Sequence, residues 1–434
     1  MGPGAAGEVP ASRVDPYVPR ARVVVLTDIA NEPDDQMSLV RFLVYSNQFD
    51  VEGLVATTST WMKSRVRPDV IHSVLDAYEQ VQPNLLKHEP GFPTAAALRA
   101  VVTSGQPAYG MAAVGRDQTS PGAELIVRAA LKDDPRPLWV LAWGGANTLA
   151  QALLRARATR TPAEVEAVVS KLRVYAISDQ DDAGAWIRRE FPALHYVGTP
   201  STPDGEQYYF ATWTGISGDR FYRNAPGADF TTFTDEWVNA NVRSKGPLGK
   251  HYPLPCCIHE GDTPSFLGLI DNGLASAMSP AYGGWGGRYV FRQPYGETRP
   301  MWTQGGDSYP GRDSSRDTVT GIDGASYTSD QATMEAQVGT PVALDAAGTR
   351  DPDGQALTFT WFSYPEAGSG MPTAPGGKPR PAAPRVVVEN ASGARATVVP
   401  KLPGVAHVIL AVEDDGRPSL TSYRRVILRI RGAE

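Results

Sequence analysis

The chain has 434 residues, of which 41% are hydrophobic and 20% charged, a balance ordinary for a globular protein. That length suits one large domain and one smaller, since domains typically run to ~100–200 residues. A net charge of −6, from 41 basic and 47 acidic residues, leaves no basic footprint for nucleic acid or an anionic membrane. No apolar run approaches the ~20 residues of a membrane helix.

Residues 1–20 are rich in Pro, Ala and Gly and read as a flexible N-terminal segment. They show neither a basic n-region nor an apolar h-region, so either a leader was removed or the chain stays inside the cell. Val23-Val24-Val25-Leu26 then forms a continuous apolar run, the pattern of a strand buried on both faces. From Asp34 the period changes, with Met37, Val40 and Val44 at helical spacing. Apolar runs at 54–56, 138–142, 172–177, 195–197 and 256–258 alternate with helical stretches at 70–81, 123–131, 149–156 and 183–191. Such alternation predicts an α/β fold, a doubly wound and mostly parallel sheet covered on both faces. Ligands of such sheets bind beyond the carboxyl ends of the strands. Adjacent Cys256 and Cys257 read as small buried hydrophobes, and no zinc-type spacing accompanies them.

Residues 280–335, rich in Gly, Tyr, Trp, Ser and Asp, read as long loops over the sheet. Beyond them short β runs at 342–344, 357–361, 386–388, 397–399, 408–412 and 426–430 are separated by turn residues, which predicts an immunoglobulin-like β-sandwich. The expected division is therefore a flexible segment at 1–20, an α/β domain at 21–335 and the sandwich at 336–434.

The stretch Thr27-Asp28-Ile29-Ala30-Asn31-Glu32-Pro33-Asp34-Asp35 sits between the first strand and the first helix. Its four carboxylates within eight residues would repel one another in a dry pocket unless a cation lay among them. A hard cation such as Ca²⁺ takes oxygen ligands of this kind. Asp34 and Asp35 alone fit the first turn of a helix, where the macrodipole favours acids; Asp28, at the strand end, does not. A phosphatase with an aspartyl nucleophile would need a second aspartate where Ala30 stands.

This loop resembles the signature of the inosine–uridine-preferring nucleoside hydrolase superfamily. More closely, the chain resembles the nucleoside-hydrolase-like family named after a bacterial cellulose-binding protein, which joins such a domain to a β-sandwich. Further segments carry the likeness along nearly the whole chain: Leu54 to Thr60, Trp143-Gly144-Gly145-Ala146-Asn147-Thr148, Ile177 to Asp182, Glu260 to Leu267, Gly283 to Arg288, and the Asp351 to Gly354 turn with Trp361.

The resemblance implies that Asp28 binds calcium and acts as base on the attacking water. It implies that Asp34 holds sugar hydroxyls, and that Asp35, the main-chain carbonyl of Trp143 and Asp262 complete the calcium shell. The cation would lower the pKa of its water and anchor vicinal hydroxyls while an oxocarbenium-like centre develops. Departures accompany the match. Leu26 replaces the aspartate that usually begins the signature, and an asparagine expected near Thr60 is absent. The histidine that normally adjoins the late aspartate is displaced to His259, beside Glu260. After Gln331-Ala332-Thr333 the usual helical connection is short.

His259 and Glu260 stand as catalytic candidates on the leaving-group side. Thr60, Asp179, Asp182, Trp285 and Arg288 stand as substrate-binding candidates. Asp179, Asp181 and Asp182 are read equally well as acids at a helix start, and Trp285 and Arg288 as plain loop packing. His72, His88 and His407 are read as structural, and Asp351 with Asp353 as a turn in preference to a second Ca²⁺ site in the sandwich. The resulting expectation is a calcium-dependent hydrolase of glycosyl bonds; the other reading is a non-catalytic carbohydrate-binding protein that keeps the calcium-anchored pocket. The partner is a carbohydrate or glycoside, and oligomerisation is left open. Family resemblance implies a secreted or periplasmic protein, with the cytoplasm not excluded.

Overall fold

A computed structural model describes residues 14–198, 200, 234–255, 259–284, 289–294, 297–304, 332–367, 385–417 and 419–432. The chain divides into two compact units, one of Val18–Leu269 with Tyr289–Thr318, the other of Met1–Tyr17, Ile270–Arg288 and Val319–Glu434. The second unit thus takes in residues 270–284, a segment that the sequence division placed with the α/β domain.

In the first unit β1 (Ala21–Thr27) is buried along its whole length, as its unbroken β-branched run requires. It pairs in parallel with β2 (Phe49–Ala56) on one side and β4 (Leu138–Ala142) on the other. With β3 (Val102–Ser104), β5 (Leu172–Ala176), β6 (His195–Val197), β7 (Tyr289–Arg292) and β8 (Met301–Gln304), the sheet runs β3-β2-β1-β4-β5-β6-β8-β7. All pairs are parallel except β7 with β8. The chain moves outward from β1 to β3, returns to β4 and moves outward the other way. The topological switch point therefore lies between β1 and β4, and ligands of open α/β sheets settle there.

Helices α1 (Pro33–Val44), α2 (Pro68–His88), α4 (Pro121–Ala130), α5 (Asn147–Thr159) and α7 (Ala183–Glu190) occupy the stretches read as helical. Between them lie α3 (Ala95–Arg99) and α6 (Pro162–Lys171), whose Thr161–Glu164 capping box marks its start. The reading of 280–335 as loops is corrected by β7 and β8: their runs are four residues each, too short among Gly and Pro for a period to stand out. The run at 256–258, with both cysteines, lies outside the described residues.

The second unit is a β-sandwich. One sheet runs β10 (Val342–Asp345), β13 (Arg395–Pro400), β12 (Val386–Glu389). The other runs β11 (Leu357–Ser363), β14 (Gly404–Asp414), β15 (Thr421–Arg431), β9 (Ala332–Gln337). Leu344, Val386 and Val398 of the first sheet pack with Trp361, Val408, Leu410 and Leu428 of the second. Asp351 Oδ1 accepts from the Asp353 and Gln355 amides at 2.8 and 2.9 Å, so this pair forms the turn read from sequence.

Candidate metal centre

The end of β1 builds the site. Thr27 Oγ1 donates to Asp35 Oδ1 and accepts from the Ile29 amide at 3.1 Å, which folds the loop back over the start of α1. Ala30 turns the loop with φ +81°, a conformation uncommon outside glycine. Pro33 then opens α1 with Asp34 and Asp35 in its first turn. Asp28, Asp34, Asp35 and Asp262 are all buried. Asp34, Asp35 and Asp262 each offer a carboxylate oxygen within 4.8 Å of the others. Asp28 lies beside the Ser59 hydroxyl and the Asp35 carboxyl, and two neighbouring carboxyls stay together by sharing a proton or closing on a cation.

Burial holds all four above the ordinary carboxylate range. The neighbouring charges add to this for Asp34, Asp35 and Asp262, and Asp34 is pushed up to about 7. Glu32 is raised by burial and by the Asp28 charge. Asp28 Oδ1, Asp34 Oδ1 and Asp262 Oδ2 are buried with no hydrogen-bond partner. Buried acceptors in that state cost free energy unless a cation or donor meets them. A set made only of oxygens suits a hard cation such as Ca²⁺ and not zinc, so these residues fit the calcium that the loop implied.

Two connections hold the set together. Gly144 lies so close to Asp28 that a Cβ there would come within 2.7 Å of Oδ1, so only glycine fits. The Trp143 indole donates to Ser265 Oγ at 2.7 Å, and that hydroxyl donates to the Asp262 carbonyl at 2.7 Å. The end of β4 is thereby tied to the turn that carries Asp262. Phe42, Trp143 and Phe266 pack edge-on behind it. The Trp143 carbonyl accepts from Gln180 Nε2 at 2.8 Å and keeps a second lone pair for a cation.

Among the other expected residues, Thr60 follows Ser59 in the loop after β2. Asp182 Oδ1 accepts from the Met111 amide at 2.7 Å. Asp179 makes a two-pronged ion pair with Arg188 at 2.8 and 2.7 Å, and Arg188 also binds Glu297. The Asp179 carboxylate is thus held within the fold by Arg188. His259 is buried, and desolvation lowers its pKa. Glu260, expected as a catalytic residue, is engaged within the fold. Its carboxylate takes a two-pronged ion pair from Arg41 and accepts from Tyr252 at 2.7 Å and Thr263 at 2.9 Å. Trp285 and Arg288 lie outside the described residues.

The sequence reading did not single out Ser59, Gln180 or the particular place of Asp181. Asp181 accepts from the Asn147 and Ala183 amides at 3.0 and 2.9 Å and is raised to about 6 by burial. Each follows a parallel strand, and that position was the available signal.

A parallel sheet with an all-carboxylate centre at its switch point defines a nucleoside-hydrolase-like chain. Residues 22–289 match the family model described as "Cellulose-binding Sde182, nucleoside hydrolase-like domain", and residues 341–430 match "Cellulose-binding protein Sde0182, C-terminal domain". The chain belongs to this family. It is similar to a solved nucleoside hydrolase-related hypothetical protein from Saccharophagus degradans, described as associated with carbohydrate metabolism. The two share 33% identity with a TM-score of 0.74, over 95% of this chain and 100% of that one. The PKD domain of the KIAA 1837 protein aligns over 26% of this chain and 97% of its own, at 22% identity and TM-score 0.17, too low to bear on the fold. No curated protein matches the chain.

Proposed function

We propose that the chain is a calcium-dependent hydrolase acting on the glycosyl bond, N- or O-linked, of a carbohydrate or glycoconjugate. The observation that supports this is the clustering of Asp34, Asp35 and Asp262, with Asp28 beside Asp35, and the three unpartnered buried oxygens of Asp28, Asp34 and Asp262. Asp28, Asp35, Asp262 and the Trp143 carbonyl are the residues to hold Ca²⁺. When bound, the ion would lower the pKa of a water and take up sugar hydroxyls. Asp28, steadied by Ser59, accepts the proton of the attacking water. Asp34, with its free Oδ1, accepts from a sugar hydroxyl. His259 is neutral at neutral pH because burial lowers its pKa, and so it gives a purine no ready proton. General acid help is typically worth ~10²–10⁴-fold, which turns the reading from inosine toward carbohydrate.

The second reading is a non-catalytic carbohydrate-binding protein that keeps the same pocket. The locked Glu260 carboxylate favours it, since the acid next to His259 is spent on Arg41. A panel of nucleosides and oligosaccharides assayed with and without Ca²⁺ decides between them. In the enzyme, Asp28→Asn abolishes cleavage and spares part of the calcium affinity, whereas Asp35→Ala loses both. Fast inosine hydrolysis would overturn the substrate class. Tight glycan binding without turnover would establish the second reading.

A further inference from the structure

The loop after β2 carries an arrangement that the metal centre does not use. Ser59 is buried, and its Oγ accepts from the Trp61 amide at 3.1 Å and the Met62 amide at 3.0 Å. The Ser59 amide in turn donates to the Met62 carbonyl at 3.0 Å. This closed turn buries Met62 and leaves the Trp61 side chain outside, 55% exposed. An indole is a large apolar surface, and here its backbone amide is held by Ser59, whose hydroxyl lies beside the Asp28 carboxyl. Trp61 is therefore a rigid, exposed aromatic two residues from a residue touching the metal centre.

Its neighbourhood is polar in a particular way. Thr58 Oγ1 donates to the Ala108 carbonyl at 3.3 Å, and Lys63 Nζ stands 4.9 Å from the Tyr109 ring centre. The Tyr109 segment is itself pinned, because the Ala108 carbonyl accepts from Asn147 Nδ2 at 2.8 Å and the Met111 amide donates to Asp182. The loops after β2 and β3 thus meet through Lys63 and Tyr109, and the first of them carries the exposed Trp61 between Thr60 and Lys63 in sequence. Aromatic faces pack on apolar C–H faces, while a polar rim satisfies hydroxyl groups. Pyranose rings offer both.

We propose that Trp61, in the loop that also carries Thr60 and Lys63, is an outer sugar-stacking subsite that extends the metal-centred pocket to take a glycan chain of several residues. This rests on the carbohydrate reading above and deepens it from a single sugar to a chain. Trp61 touches substrate in this arrangement but takes no part in bond cleavage.

The test is calorimetric titration of the full calcium-loaded chain with cellopentaose, alongside titration of the chelated protein with Ca²⁺. Trp61→Ala should weaken cellopentaose binding by about tenfold or more, and Trp61→Phe should retain most of it. Calcium affinity should not change in either variant. Trp237→Ala, at another exposed indole, should bind like the unaltered chain. Cellopentaose affinity in Trp61→Ala within twofold of the unaltered chain would overturn the subsite and leave the carbohydrate reading standing. Loss of calcium together with cellopentaose would also overturn it, by placing the effect at Ser59 and Asp28. An unaltered chain that binds calcium but neither this glycan nor any other would overturn both readings.

Discussion

Arg41 on α1 and Glu260 form a two-pronged ion pair, although 219 residues separate them in sequence. Glu260 is buried and holds a left-handed backbone at φ +49°, two positions before Asp262. The Arg41 charge, the Tyr252 hydroxyl and the Thr263 hydroxyl together fix the turn that delivers Asp262 to the metal centre. Glu260→Gln leaves Arg41 without its anion. The expected cost is about 2–3 kcal/mol of stability, since Arg41 keeps some solvent. Calcium affinity should fall along with it. A fall in turnover with stability and calcium affinity untouched would show instead that Glu260 acts directly on substrate. Thermal unfolding and calcium titration of one sample read both.

Thr27 offers a narrower test. Its hydroxyl donates to Asp35 and so orients a candidate ligand without being one. Thr27→Val keeps the shape of the strand end and removes that hydrogen bond. Calcium should bind about 10–100-fold more weakly, the usual cost of losing a group that orients a ligand. Affinity equal to that of the unaltered chain would remove Asp35 from the ligand set.

These two pairs also mark how far the sequence could be read. β1 and its acidic loop were legible because a buried parallel strand has a local signature and four nearby carboxylates demand a counter-charge. Asp262 was reached only through family resemblance, because its approach to Asp35 depends on Trp143, Ser265 and the Arg41–Glu260 pair, all remote in sequence. The ion pair of Asp179 was not legible, because its partner Arg188 lies nine positions on, outside any local helix spacing. Leu26 looked like a lost support for the loop. Thr27, the next residue, supplies a hydrogen bond to Asp35, and a one-position shift of that kind is invisible until side chains are placed.

The sandwich unit carries a pH dependence of its own. His407 Nδ1 lies 3.0 Å from an Arg425 nitrogen. Arginine only donates, so this ring nitrogen accepts and the imidazole is neutral. Burial, then the Arg425 charge, lowers its pKa to about 3 from 6.5. Between those values the unfolded chain binds a proton that the folded chain does not. Stability from this group is therefore present above about pH 6.5 and is lost as pH falls toward 3, at about 1.4 kcal/mol per pH unit. His407→Gln should flatten that part of the stability profile. Equal slopes for the variant and the unaltered chain between pH 6 and pH 4 (about the span of the shift) would refute the assignment.

Arg425 also decides where the second unit ends. Its guanidinium is buried and donates to the carbonyls of Leu274 at 2.9 Å and Tyr282 at 2.5 Å, while it lies over the Tyr282 and Tyr364 rings. The Tyr423 amide adds a bond to the Asn272 carbonyl at 3.1 Å. Residues 270–284 are thus held by β15, far along the chain. Arg425→Met keeps much of the bulk and removes the donors, so amide exchange in 270–284 should accelerate while β1 and β4 stay protected. Every proposed calcium ligand lies within Val18–Leu269, and calcium affinity should therefore not change in this variant. The same reasoning applies to a chain cut after Gly339: it should keep its metal binding while residues 270–284 lose their protection. Unchanged exchange in 270–284 would show that the Arg425 contacts contribute little. Loss of calcium in either protein would place a ligand, or its support, in the sandwich.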